Sequence, residues 1–143
     1  MVNLIVYFVH VLGALTVGFY ILLPFVTARI GNLQSTAQAG YVRGLQQYNR
    51  IGQWLLILQF LTGGYMISNY ELSVTWIVTV IAVFLLLGAA TGMLGGPFKR
   101  IIQAGESGQV ASASDVSRAV LFSTIAAISI FIQVFLMFFS DII

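Results

Sequence analysis

NLIVYFVHVLGALTVGFYILLPFVTA, residues 3–28, is a continuous apolar run that contains the chain's single histidine, His10. A helix needs about 20 residues to cross the hydrocarbon core of a bilayer, so this run is long enough to span one. A secretory signal would begin with a basic region and carry a shorter apolar core of about 7–15 residues. No Lys or Arg precedes this run, and its apolar character continues to Ala28. The expectation is a retained membrane helix.

Three more segments qualify by the same measure, giving spans at 4–28, 51–68, 74–96 and 119–140. None alternates apolar with polar residues, as the strands of a transmembrane barrel do. Backbone groups in lipid must pair within their own segment, which leaves helices. The sequence therefore predicts an all-α integral membrane protein: one domain over residues 1–143, built as an antiparallel four-helix bundle. Composition agrees. The chain is 59% hydrophobic and 7% charged, against roughly 25% charged in ordinary soluble domains. It has no cysteine, which removes disulfides and thiolate metal sites. A net charge of +2, without a basic aromatic patch, gives no footprint for nucleic acid.

The loops give an orientation. All six basic residues, Arg29, Arg43, Arg50, Lys99, Arg100 and Arg118, lie between spans one and two or between spans three and four. The N-terminal tip, the turn around 69–73 and the C-terminal tail contain none. By the positive-inside rule both long connections face the cytoplasm and both termini face out, as in a multi-pass protein of a bacterial inner membrane. The first connection places Tyr41, Leu45 and Tyr48 on one helical face, either as an inward extension of span two or as a helix anchored at the headgroups. In the second, Gly105, Ser107 and Gly108 mark a flexible turn, and Ser114 before Asp115 reads as the N-cap of span four. Pro24 and Pro97, each followed by Phe, stand at corresponding ends of spans one and three, so the two halves share a plan.

Two sets of residues could carry function. Gly88, Gly92 and Gly96 repeat at every fourth position and would let another helix approach span three closely. Ala14 and Gly18 of span one offer a matching small surface within the chain, and a homodimer seam is the competing use. His10 is the second candidate, about 10 Å inside the outer boundary at 1.5 Å per residue. An ionisable group at that depth faces the protein interior or a wet cavity. Imidazole can ligate haem iron or copper or relay protons. Antiparallel threading puts Met66 and Met137 in the same outer half, where one imidazole and two thioethers would suit Cu(I) and a Met–His pair would suit haem. The plainer alternative is a neutral His10 bonded to Tyr7, Tyr65 or a backbone carbonyl. Gln59 and Gln133 also sit deep, where their amides need partners, each other included. No Asp, Glu, Lys or Arg lies inside a span, which argues against ion-coupled transport. No nucleophile-and-base set or phosphate loop is present.

His10-Val11-Leu12-Gly13-Ala14, the apolar run to Arg29, then Arg50-Ile51-Gly52 and Thr62-Gly63-Gly64 resemble the first half of small four-span bacterial membrane proteins akin to the copper-resistance D domain. Related four-span proteins, including the membrane-bound protoporphyrinogen oxidase, have a first-span histidine associated with haem. The resemblance implies that role for His10 alone, because this chain lacks a second histidine and an intramembrane lysine, and Val17-Gly18 replaces the usual tryptophan-glycine pair. The expected function is non-enzymatic: a small membrane protein holding haem b or copper at His10, or else an accessory subunit, part of a larger complex or a homodimer, working through the glycine face.

Overall fold

A computed structural model describes residues 1–141 and is helical throughout, with no strand among them. The helices are α1 (Val2–Val17), α2 (Leu23–Ala28), α3 (Ser35–Ile67), α4 (Val74–Met93), α5 (Gly95–Glu106) and α6 (Ala113–Phe138), with 3-10 turns at Gly18–Ile21 and Ile30–Asn32. Three stretches, Val2–Asn32, Val74–Glu106 and Ala113–Phe138, are long and apolar enough to cross a membrane. They point to a membrane protein in contact with lipid. The 51–68 segment is not among them. Gln53, Gln59 and Thr62 dilute its apolar character, and it forms the second half of the much longer α3.

Several local expectations change. The first apolar run is one stretch but not one straight helix. Pro24 cannot donate a backbone hydrogen bond and its ring crowds the carbonyl four residues back. The chain tightens into the 3-10 turn at Gly18–Ile21 and restarts with Pro24 in the first turn of α2. Pro97 plays the same part, near the start of α5 just beyond the break at Leu94. The first long connection is an extension of the second apolar segment, since α3 runs unbroken from Ser35. Its Tyr41–Leu45–Tyr48 face packs inward: Tyr41 donates to the Val26 carbonyl at 3.1 Å, Leu45 is buried and Tyr48 lies 4.2 Å from Phe19 between ring centroids. The N-cap of α6 is Ser112, two residues before the expected Ser114. Its Oγ accepts from the Asp115 amide at 3.1 Å and donates to the Asp115 carboxylate at 3.0 Å, which satisfies donor and acceptor together. The Gly105–Gly108 turn closes α5 with Gly108 at φ 74°, and the Gln109 amide reaches the Ala104 carbonyl at 2.9 Å.

Helix α3 packs on α1 and α5, and α6 packs on α4, α2 and the Gly18–Ile21 turn. The larger apolar core, with Tyr20, Leu23, Ile30, Val42, Leu87, Leu94 and Phe98, sits toward the end that carries the basic residues. A smaller cluster of Trp76, Val80 and Leu136 closes the opposite end, where Trp76 Nε1 donates to the Leu136 carbonyl at 2.8 Å. Polar side chains stitch the helices together. Tyr20 donates to Asn49 Oδ1 at 2.8 Å, and Asn49 Nδ2 donates to the Thr91 carbonyl at 2.8 Å, joining three segments. Thr27 and Ser123 share a hydrogen bond of 2.8 Å between the first apolar run and α6. The fully buried Gln38 donates to the Ile30 carbonyl and accepts from the Ala111 amide, tying the two long connections to each other. Two ion pairs, Arg43–Glu106 and Arg100–Asp115, add surface links. Partial burial raises the Asp115 carboxyl, but hydrogen bonds from Arg100 and Ser112 and the charges of Arg100 and Arg118 outweigh it and hold the group below its ordinary range.

Two glycines mark where this packing has no slack. A Cβ on Gly52 would stand 2.8 Å from Tyr20 Cζ, and one on Gly105 would stand 2.6 Å from Ala39 Cβ. Gly52→Ala must push the Tyr20 ring off Asn49, and Gly105→Ala must part α5 from α3. Each is expected to lower stability by ~1–3 kcal/mol, read as a fall in the thermal midpoint of the detergent-solubilised protein. Unchanged midpoints would refute the close approach.

Candidate functional site

His10 lies on α1 where it faces α3, and is only 8% exposed. The two helices run antiparallel in a steady register, with His10 opposite Thr62, Gly13 opposite Gln59 and Tyr20 opposite Gly52. His10 Nδ1 and Thr62 Oγ1 are 2.8 Å apart. The Thr62 hydroxyl already donates to the Leu58 carbonyl at 2.8 Å. With its single proton on that carbonyl, Oγ1 accepts from the ring, in the tautomer whose Nδ1 carries the hydrogen and whose Nε2 keeps its lone pair; with the proton turned to Nδ1 the tautomer is the other one.

Gln59 completes the cluster. Its Nε2 donates to the His10 carbonyl at 2.8 Å, across Gly13. Gly13 is required there, because a Cβ would come within 3.0 Å of the Gln59 amide nitrogen. On the other side, a Cβ at Gly63 would come within 3.3 Å of His10 Cε1. The imidazole and the amide thus fit between the helices because glycines stand opposite them. Gln59 Oε1 is buried without a hydrogen-bond donor, and so is Gln133 Oε1 on α6. The two amides do not pair with each other. A buried acceptor left without a donor typically costs ~1–3 kcal/mol, so both are places where a donor from outside the chain would be stabilising.

The plainer reading of His10 expected a tyrosine or a carbonyl as its partner. Thr62 takes that place, and Tyr65 donates instead to Asn3 Oδ1 at 2.8 Å. Met66 stands one turn beyond Thr62, lining a cavity of about 50 Å³ with Asn3, Tyr7, Tyr65, Asn69 and Tyr70. Met137 is 43% exposed on α6, a helix that nowhere comes within 8 Å of α1 between Cα atoms. One chain therefore does not gather His10, Met66 and Met137 around a common point. Met66 follows Thr62 by one turn on the same face of α3, whereas Met137 stands on a helix that does not meet α1.

The glycine face also differs from expectation. A Cβ at Gly88 would meet nothing within 4 Å, one at Gly92 only the tip of Gln53 at 3.9 Å, and one at Gly96 only the Arg100 guanidinium at 3.7 Å. Gly18 is equally open and Ala14 is exposed. The expected seam of Ala14 and Gly18 against Gly88, Gly92 and Gly96 is not formed. The reason is rotational. Asn49–Thr91, Tyr20–Asn49 and Gln59–His10 must face inward to be satisfied, and that turns the small residues outward. The glycines that do seat neighbours are Gly13, Gly52, Gly63 and Gly105, which share no common repeat.

No protein-family model matches the chain, and no curated protein or solved structure matches it.

Because Gly92 faces open space, Gly92→Leu is expected to leave the thermal midpoint of the isolated chain unchanged. A drop comparable to that of Gly52→Ala would mean that α4 is seated against its own chain after all.

Proposed function

We propose that this chain is a four-span protein of a bacterial inner membrane, with both long connections in the cytoplasm, whose His10 ligates a haem b iron in the outer half of the bilayer. Kinship to four-span proteins akin to the copper-resistance D domain is part of the same proposal. The observation that carries it is the 2.8 Å contact of His10 Nδ1 with Thr62 Oγ1, which in the tautomer protonated at Nδ1 leaves Nε2 as an imidazole lone pair. A hydrogen bond that locks one ring nitrogen is how proteins orient metal-ligating histidines. The chain would supply one imidazole nitrogen to that group. A copper site built from His10, Met66 and Met137 does not fit, because Met137 stands on α6, which does not meet α1.

Haem held at Nε2 would supply one-electron chemistry at that depth. The chain's own part is to hold the imidazole still, to keep its Nδ1 proton on Thr62, and to surround it with side chains that exclude water. The four-span reading takes the 51–68 part of α3 as the remaining crossing. Its polar groups turn toward α1 and α4 rather than toward lipid, as Gln59 and Thr62 do.

Absorbance of the detergent-purified protein tests the ligand. Wild type should show a Soret band that His10→Ala abolishes and Thr62→Val shifts or weakens. A colourless, metal-free wild type would end the haem reading, and stoichiometric copper in its place would replace it. Topology is tested separately with a reporter active only in the cytoplasm. Fusion at Gly108 should give signal and fusion after Ile143 should not; the reverse pattern would overturn the orientation.

One observation favours a second reading. The outward turn of Gly88 and Gly92 leaves a smooth strip on α4 that a helix of another chain could seat against. In that case the protein works as a homodimer or accessory subunit, and Gly92→Leu should reduce the size of the assembly while the single chain stays folded.

A further inference from the structure

The cations at the basic end are not equally engaged. Arg43 and Arg100 are paired with Glu106 and Asp115, which are the only acids between spans one and two or three and four. Exposed and without an ion pair among the described residues are Lys99, which has only Gly95 and Gly96 one turn deeper, and the three arginines Arg29, Arg50 and Arg118. Each of these arginines has a large exposed apolar side chain one turn deeper along its own segment: Phe25 for Arg29, Trp54 for Arg50 and Leu121 for Arg118. Phe25 and Trp54 are 72% and 74% exposed, among the most open large side chains away from the termini. At 1.5 Å per residue, Arg50 lies ~26 Å along α3 from Ile67, and Arg118 lies ~30 Å along α6 from Phe138. That is about the thickness of the hydrocarbon core.

Free cation at the boundary, aromatic or aliphatic body just below it: this is the arrangement of a side chain that snorkels to phosphate while its neighbour stays among acyl chains. It recurs on three separate elements, the first apolar run, α3 and α6. We infer that Arg29, Arg50 and Arg118 form a collar that binds anionic phospholipid headgroups, with Phe25, Trp54 and Leu121 contacting the acyl chains of the same lipids. The charge balance fits that partner. The basic end carries six cations against Glu106 and Asp115, whereas the opposite end has only Glu71 and Asp141. A zwitterionic lipid would leave the unpaired guanidinium groups without a net counter-charge. The inference rests on the membrane reading proposed above and is independent of any role for His10.

The two tryptophans make it measurable. Trp76 is buried at the other end on the Leu136 carbonyl, so Trp76→Phe leaves Trp54 as the sole reporter beside Arg50. The protein is reconstituted into vesicles of phosphatidylcholine mixed with phosphatidylglycerol, with brominated chains on one lipid or the other. Brominated phosphatidylglycerol should quench Trp54 the more strongly, with a several-fold preference that high salt removes. Neutralising Arg50, the cation beside Trp54, should weaken that preference by ~5-fold. Replacing Arg29, Arg50 and Arg118 together by Gln should therefore bring the two lipids level, while replacing them by Lys should retain the preference. Equal quenching of the wild-type collar by both lipids would overturn the inference. So would a phosphatidylglycerol preference that survives high salt. Should the Gln variant fail to fold, the salt response of the parent and the Lys variant still decide. Symmetric vesicles make the outcome independent of orientation, so failure here and failure of the topology assignment are distinguishable.

Discussion

A polar side chain in hydrocarbon has to find its partner inside the protein, and this constraint sets how the helices of this chain are rotated. Apolar burial cannot do so here. Lipid is as apolar as leucine, so Val, Leu and Phe are nearly indifferent to whether they face a helix or an acyl chain. Many of them do face outward, including Leu4, Phe8, Leu15, Leu85 and Phe131. Tyr20, Asn49, Gln59 and Thr62 are not indifferent. Asn49 must stand where it can take the Tyr20 hydroxyl and give to the Thr91 carbonyl, and Gln59 must reach the His10 carbonyl. Once these are placed, the faces of α1, α3 and α4 follow.

Glycine placement is a consequence of the same constraint. The small residues that matter are those opposite a bulky polar group: Gly13 under Gln59, Gly63 beside His10, Gly52 under Tyr20. They have no periodicity of their own, because the partners they accommodate come from another helix. Gly88, Gly92 and Gly96 have a clean period and no neighbour to seat. Periodicity within one helix reports that a close approach is sterically permitted. It does not report that the approach is made.

This separates what could be read along the chain from what could not. Helical class, the apolar runs and the inward turn of His10 follow from properties local to a segment: run length and one costly side chain. The partner of His10, the small cavity that takes Met66 and the cap at Ser112 depend on register between segments. The antiparallel register of α1 and α3 would have found Thr62, since a threonine at matching depth is the nearest acceptor for a ring N–H. Tyr65, at similar depth, gives its hydroxyl to Asn3 instead. Depth is a one-dimensional coordinate, and it cannot tell one helical face from another.

The unsatisfied atoms then acquire a definite meaning. A chain that has answered nearly all its interior polar groups, down to Gln38 with both ends of its amide engaged, leaves Gln59 Oε1 and Gln133 Oε1 without donors. Gln59 could in principle rotate its amide to exchange donor and acceptor, but doing so would forfeit the bond to the His10 carbonyl and set two acceptors against each other. Its orientation is therefore determined by α1, and the bare oxygen follows from that choice. The same logic holds for Nε2 of His10 in the tautomer where Nδ1 donates to Thr62 and Thr62 to Leu58. Both free acceptors then belong to one chain of hydrogen bonds running from Leu58 through Thr62 and His10 to Gln59. Any change that reverses one link, such as removing the Thr62 hydroxyl, alters which atoms of the site can accept, without moving a helix.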